Sequence, residues 1–347
     1  MKVIHEVYWL RALACLAVVM VHAVNTTLEH YEFIIPKSEE NILIAARFLV
    51  LFGTPAFIFI SELLLAYAYP DQVPKGFFIK RVKFLLMPFA FMAFVFAVMT
   101  SESIGEFPSE LALNLFLGGY TGYFILIIFQ FYILHVCLHR YLKKVSPVLV
   151  LSAALMINTI YLGFFHVTSP PGIVLGEYIW ERGHWLPFTG WVFYFALGYY
   201  AGRYYHQIMS RIVKLRYLLA GAAAVLLLFV FSLVVTDILD VVSSKRVDYI
   251  LYTTAVVFAI LAFTYRLKKV PLPVLVLSKY SFNVYLLHTV ILHYLPKFEG
   301  LHPFLYFGLA VILSAGGSML FAKFVSRFNI TSYLIGKQIP VPNETRK

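Results

Sequence analysis

Residues 8–28 read YWLRALACLAVVMVHAVNTTL, an apolar run that carries one arginine, Arg11, and one histidine, His22. At about 1.5 Å of helical rise per residue, such a run reaches across the roughly 30 Å hydrocarbon core of a bilayer. It is not built as a cleaved leader: Arg11 lies inside the apolar stretch, His22 interrupts its end, and no small-x-small cleavage site follows. The segment therefore reads as a membrane helix. The eleven residues from Arg11 to His22, at roughly 100° each, make three turns plus about 20°, so both side chains share one helix face.

Nine more runs of similar character follow, at about 42–66, 84–100, 122–139, 147–165, 187–207, 217–236, 249–265, 274–294 and 303–324. The second is long enough to tilt or to break near Gly53 and Pro55. Of the 347 residues 61% are hydrophobic and only 13% charged, against about 45–50% and about 25% in soluble domains, which excludes most soluble folds and disorder. The runs lack the alternation of a barrel strand, and backbone groups in lipid must be satisfied internally, so the spans are helices. The expectation is an all-α membrane protein, one domain over 1–347, built as a bundle of ten transmembrane helices. The longest gap, about 166–186, leaves no room for a further soluble domain. The two cysteines, Cys15 and Cys137, lie in apolar runs without paired spacing, so neither a disulfide framework nor a metal site is expected.

The net charge of +11 would suggest nucleic acid in a soluble chain. Its distribution says otherwise. With the N-terminus in the cytoplasm, twenty of the 28 Lys and Arg residues fall in inner segments, among them Lys2, Lys75, Lys80, Arg81, Lys83, Lys143, Lys268, Lys337, Arg346 and Lys347. Five fall in outer segments, and thirteen of the 17 acidic residues join them there. This is the positive-inside pattern, with both termini cytoplasmic and the lipid bilayer, not nucleic acid, as the partner.

Ionisable residues inside the spans are the default functional candidates, because burying charge in lipid is expensive. Six stand out: Arg11 and His22, Arg47 and Glu62, Lys279 and His288. Their depths sort them into two layers. Arg11, Glu62 and Lys279 lie toward the cytoplasm, and His22, Arg47 and His288 lie in the outer leaflet. His135, near a cytoplasmic helix end, is less informative. The plain alternative is that Arg11, Arg47 and Lys279 snorkel to headgroups while Glu62 neutralises Arg11 or Lys279. A neutral imidazole at the depth of His22 is suited to act as a general base toward a hydroxyl.

The R-x10-H pattern of the first run is followed by Phe52-Gly53-Thr54-Pro55-Ala56-Phe57-Ile58-Phe59-Ile60-Ser61, by Lys80-Arg81-Val82-Lys83-Phe84-Leu85-Leu86-Met87-Pro88, and by Ser281-Phe282-Asn283-Val284-Tyr285-Leu286-Leu287-His288. Gly122-Tyr123-Phe124-Ile125, Gly190-Trp191-Val192-Phe193-Tyr194-Phe195 and Ile335-Gly336-Lys337-Gln338 complete an ordered set. Together they resemble the membrane acyltransferase-3 superfamily, and within it the intercellular adhesion protein C branch that serves poly-N-acetylglucosamine biofilm polysaccharide. The chain departs from the family at Glu62, where many members carry glycine, and at Lys83, where many carry arginine.

The resemblance implies a multi-pass cell-membrane O-acyltransferase. It would move acetyl or succinyl from cytoplasmic acyl-CoA (acetyl-CoA or succinyl-CoA) to a hydroxyl of an extracytoplasmic carbohydrate, with no permanently bound cofactor and no metal. It places His22 and Arg11 in catalysis, Lys80, Arg81 and Lys83 at the donor, and His288 in the recurrent helix-nine position. On this picture Arg47 or His288 supports the oxyanion or the acceptor, and Glu62 and Lys279 are charges along the donor channel. Around 166–187, Glu177, Trp180, Glu181 and Trp185 suit either a membrane belt, the favoured reading for both tryptophans, or a platform for a cationic glucosamine polymer. The competing functions are export of a polysaccharide without chemistry and partnership with a membrane polysaccharide synthase.

Overall fold

The structure, a computed structural model, describes residues 4–239, 241–267 and 269–341. Lys2, Lys268, Arg346 and Lys347, counted above among the inner cations, lie outside the described residues. The architecture is all-α, 76% helix with no strand among the described residues. Among the described residues fifteen α-helices run in order: α1 His5–Tyr31, α2 Lys37–Val50, α3 Gly53–Ala68, α4 Phe77–Arg81, α5 Met87–Thr100, α6 Phe107–Phe116, α7 Phe124–Leu142 and α8 Pro147–Val167. They continue with α9 Gly176–Trp185, α10 Val192–Arg203, α11 Tyr205–Ile212, α12 Arg216–Val235, α13 Tyr249–Thr264, α14 Leu272–His293 and α15 Pro303–Val325. The run at 42–66 breaks where expected, α2 ending at Val50 and α3 beginning at Gly53. Pro147 and Pro303 open their helices in the first turn, where a missing N–H costs no intrahelical bond.

Every predicted run contains a helix, and among the described residues eight helical stretches are long and apolar enough to cross a membrane. The two runs that fall outside this set are carried by α10, twelve residues, and α13, sixteen residues, about 18 and 24 Å long. Their shortness has a packing reason. Nine residues of α10 and ten of α13 are buried, whereas only Val230 is buried in the twenty-residue α12. A helix surrounded by protein does not have to match the hydrocarbon thickness by itself. α10 also packs very closely on α3: a methyl group at Gly198 would stand 2.7 Å from the Phe59 carbonyl and 3.0 Å from Glu62 Cβ, and one at Gly202 would strike the Leu63 carbonyl. This Gly198-xxx-Gly202 face is the small-residue spacing that lets membrane helices approach backbone to backbone.

The two ends of the described chain meet. Tyr8 Oη donates to the Pro340 carbonyl (3.1 Å), so the start of α1 and the segment after α15 share the terminal end of the bundle. That segment folds back over α14 as a strap. Asn283 Nδ2 donates to the carbonyls of Ile335 (2.8 Å) and Gly336 (3.0 Å), and the Ile339 N–H donates to the Lys279 carbonyl (3.0 Å). Gly336 sits at φ +85° with the Phe282 ring against its Cα, a place with no room for a side chain. At the opposite, distal end, the loop after α12 is fixed by Arg246. This fully buried guanidinium forks onto Asp248 (2.9 and 2.6 Å) and donates to the Leu239 and Val241 carbonyls. An arginine so satisfied is a structural staple.

Candidate functional site

Helices α1 and α14 pack side by side and bring together two histidines 266 positions apart in sequence. The rings of His22 and His288 lie 5.1 Å apart, centroid to centroid, inclined by 61°. His288 is fully buried and its Nδ1 donates to the Val284 carbonyl (2.8 Å). A carbonyl only accepts, so that bond fixes the proton on Nδ1 and leaves Nε2, which has no partner, presenting its lone pair. His22 is only half-buried and is the more exposed member of the pair. Arg47, at the end of α2, lies within electrostatic range of His22. It donates to the Val242 carbonyl (3.3 Å) and keeps a buried Nε without a partner. Thus the three residues assigned by depth to the outer layer converge. Tyr285 adds a wall, 6.4 Å from His288 ring to ring, with its hydroxyl held by the Thr121 carbonyl.

The other three do not converge. Arg11 is buried and forms no ion pair with a described residue; its electrostatic neighbours are Tyr8 and Tyr132. Tyr132, on α7, is also covered by Arg81, whose guanidinium lies 4.8 Å from the ring centres of Tyr132 and Phe77 and has a buried, unpartnered Nε. Two arginines therefore gather around one tyrosine with no carboxylate between them. Tyr132 Oη is hydrogen-bonded to Ser61 Oγ at 3.2 Å. A five-residue π-helical turn, Val82–Leu86, follows Arg81 directly; such turns recur at functional sites.

Glu62 neutralises neither Arg11 nor Lys279. Its carboxylate is hydrogen-bonded to His135 Nδ1 at 2.6 Å, both side chains being almost completely buried. The discounted histidine is the partner, because α7 turns that face toward α3. His135 in turn stacks on His139 (5.7 Å, 7°), whose Nε2 reaches the Asp71 carbonyl (2.9 Å). Lys279 faces the terminal end instead, along a cavity of about 950 Å³ under the strap. Lys80 lies on α4 and Lys83 in the π-helical turn, next in sequence to Phe84, which stacks on Tyr333 of the strap (5.4 Å, 16°).

The distal loops supply features that the sequence did not reveal. Trp185 is buried, so it is not a lipid-facing belt residue; its ring packs on Tyr123 (4.1 Å). The Lys245 ammonium rests over both, 4.7 Å from the Trp185 centroid and 5.5 Å from that of Tyr123. Burial pushes the Lys245 pKa down to about 8, with Glu181 opposing the shift and Arg182 adding to it. Burial, with nearby Lys245 and His166, lowers His184 to about 4. Glu181 itself pairs with the adjacent Arg182. Among the described residues no group of three or more His, Cys, Asp or Glu is placed to hold a metal ion.

A half-buried imidazole, an oriented second imidazole and an underused guanidinium are the parts that general-base chemistry with oxyanion support requires. A protein of Bacillus subtilis, YfiQ, provisionally named a membrane-bound acyltransferase, is 38% identical over 82% of this chain and 80% of its own length. Provisionally named poly-beta-1,6-N-acetyl-D-glucosamine export proteins of Staphylococcus aureus are 28% identical over 97% of both chains, and one of Staphylococcus epidermidis is 26% identical over 96% of this chain and 94% of its own. No solved structure matches. The profile of the acyltransferase-3 family, described as an acyltransferase domain, matches residues 4–323. With that match over most of its length, and with helices of this length and polarity, the chain is a multi-pass membrane protein that belongs to the acyltransferase-3 family.

Proposed function

We propose that the protein is an O-acyltransferase crossing the membrane ten times with both termini in the cytoplasm. It moves an acetyl or succinyl group from cytoplasmic acyl-CoA to a hydroxyl of an extracytoplasmic glycan of the poly-N-acetylglucosamine kind. The observation that carries this reading is the pairing of His22 with His288. In the reaction the acceptor oxygen attacks the thioester carbonyl and the carbon–sulfur bond breaks. His22 takes the hydroxyl proton, which then leaves with the thiol. Because Nδ1 of His288 is committed to Val284, that ring orients His22. The remaining cation, Arg47, is the better placed to stabilise the oxyanion. Arg11 and Arg81, gathered on Tyr132 without a carboxylate, hold the polar donor, with Lys80 and Lys83 at its phosphates. The Glu62–His135 pair lines the approach, and a polysaccharide synthase is the natural source of acceptor.

A His22→Ala variant tests this. It should assemble normally and leave the surface polymer secreted but without ester groups; normal ester content would defeat the assignment. The names of the staphylococcal relatives favour a second reading, polymer export. An exporter would tolerate His22→Ala in ester content and lose secretion when its path is blocked.

A further inference from the structure

The cavity beneath the strap has no place in the chemistry at His22, yet it is built. Its walls come from the cytoplasmic-side end of α14, the end of α15, and the strap itself, with Lys279, Asn283, Phe84, Tyr333, Lys337 and Gln338 among them. Among the described residues no carboxylate lines it. Two lysines do, and neither is ion-paired to a described residue: Lys279 lies against the Tyr280 ring (5.3 Å) and Lys337 against Phe84 (5.4 Å). Positive charge and aromatic surface thus share one wall.

Asn283 supplies the second observation. It is 1% exposed, and its Nδ2 is fixed by the two strap carbonyls, which only accept, so the identity of its oxygen is settled. That oxygen, Oδ1, is buried with no hydrogen-bond partner among the described residues. A buried acceptor left empty is destabilising and calls for a donor. Asn283 is one turn along α14 from Lys279, on the same face. The same helix carries His288 nine residues beyond Lys279, about 13 Å along the axis.

We propose that this cavity binds the nucleotide end of the acyl donor, with Lys279 and Lys337 on its phosphate esters and Asn283 Oδ1 accepting from an N–H of the base or of the adjoining amide arm. The inference rests on the acyl-CoA reading above and deepens it: the strap, and not the Lys80 to Lys83 stretch alone, is the phosphate-recognition element. The headgroup of an anionic phospholipid shares the phosphate chemistry and has hydroxyls to donate, but it offers no ring to the aromatic wall.

The test is CoA binding to the full chain in nanodiscs, compared between zwitterionic and phosphatidylglycerol-containing bilayers. Lys279→Gln and Lys337→Gln should each weaken CoA binding by about tenfold, the loss expected for one charge-assisted contact. Lys337→Arg should retain it. Lys337→Gln should not change turnover with an acyl-pantetheine donor, which lacks the nucleotide. Unchanged CoA affinity in both glutamine variants overturns the proposal, as does equal loss with CoA and acyl-pantetheine. Displacement of CoA by phosphatidylglycerol, with affinity in neutral discs insensitive to the lysines, identifies a lipid site and also overturns it. Failure of the acyltransferase reading looks different: CoA then binds with the lysine dependence intact and no ester forms.

Discussion

The buried pair Glu62–His135 yields the most quantitative expectation. The perturbation is Glu62→Met and His135→Phe, singly and together, replacing each group by an apolar one of similar size. With Oε1 and Nδ1 2.6 Å apart and side-chain exposures of 1–2%, neither partner can turn to water when the other is removed. Glu62→Met leaves an imidazole whose second nitrogen already lacks a partner, a loss of about 1–3 kcal/mol. His135→Phe leaves a dry carboxyl group, about 3–5 kcal/mol if it stays charged and less if it protonates. The double variant strands nothing, and replacement of a buried polar pair by apolar groups is often neutral. It should return to within about 1 kcal/mol of the parent, giving a coupling well above the roughly 0.5 kcal/mol of independent sites. Reversible unfolding in mixed detergent micelles measures all four proteins. Additive losses, with the double variant the least stable, would refute the reasoning.

Two further outcomes follow from other parts of the bundle. Lys245 has its proton affinity lowered from 10.5 to about 8 by burial, so between those values the unfolded chain binds a proton that the native one lacks, and stability rises with pH across that window. Lys245→Met should therefore be the more stable protein at pH 7, and its advantage should shrink between pH 8 and 10.5; thermal midpoints that differ by a constant amount throughout would contradict this. Gly198→Ala and Gly202→Ala drive a methyl group into the α3 backbone and should each destabilise by about 1–3 kcal/mol, whereas Gly221→Ala, where a methyl group meets nothing within 4 Å, should not; equal midpoints for all three would rule out the close α3–α10 contact.

Much of this was legible in one dimension because the membrane imposes a coordinate. Depth follows from position along a span, which is why His22, Arg47 and His288 could be assigned to one layer before any contact was known, and the rings of His22 and His288 do meet. Rotation about each helix axis is not readable in that way. Glu62 and His135 are 73 positions apart, and nothing in either run says that α7 turns its histidine toward α3. The same blindness hid Arg81 on Tyr132. Length is the other gap: α10 and α13 read as ordinary spans, yet burial among neighbours relieves them of the need to be long. The strap was visible only as the motif Ile335-Gly336-Lys337-Gln338; its reason, a side-chain-free crossing over Phe282, belongs to three dimensions.

The π-helical turn Val82–Leu86 lets two neighbours in sequence serve different masters. Widening the turn changes the angular step between successive positions, so Arg81 points inward at Tyr132 while Phe84, three residues on, reaches the strap. Removing one residue from this turn would let α4 and α5 fuse into a regular helix with an unbroken i to i−4 ladder. It would also swing Arg81 by about 100° relative to Phe84. The segment is thus tolerant of shortening as a helix and intolerant of it as a hand. Homologues that differ here by a single-residue gap should present this arginine at a different angle to Tyr132, even where every basic side chain is retained.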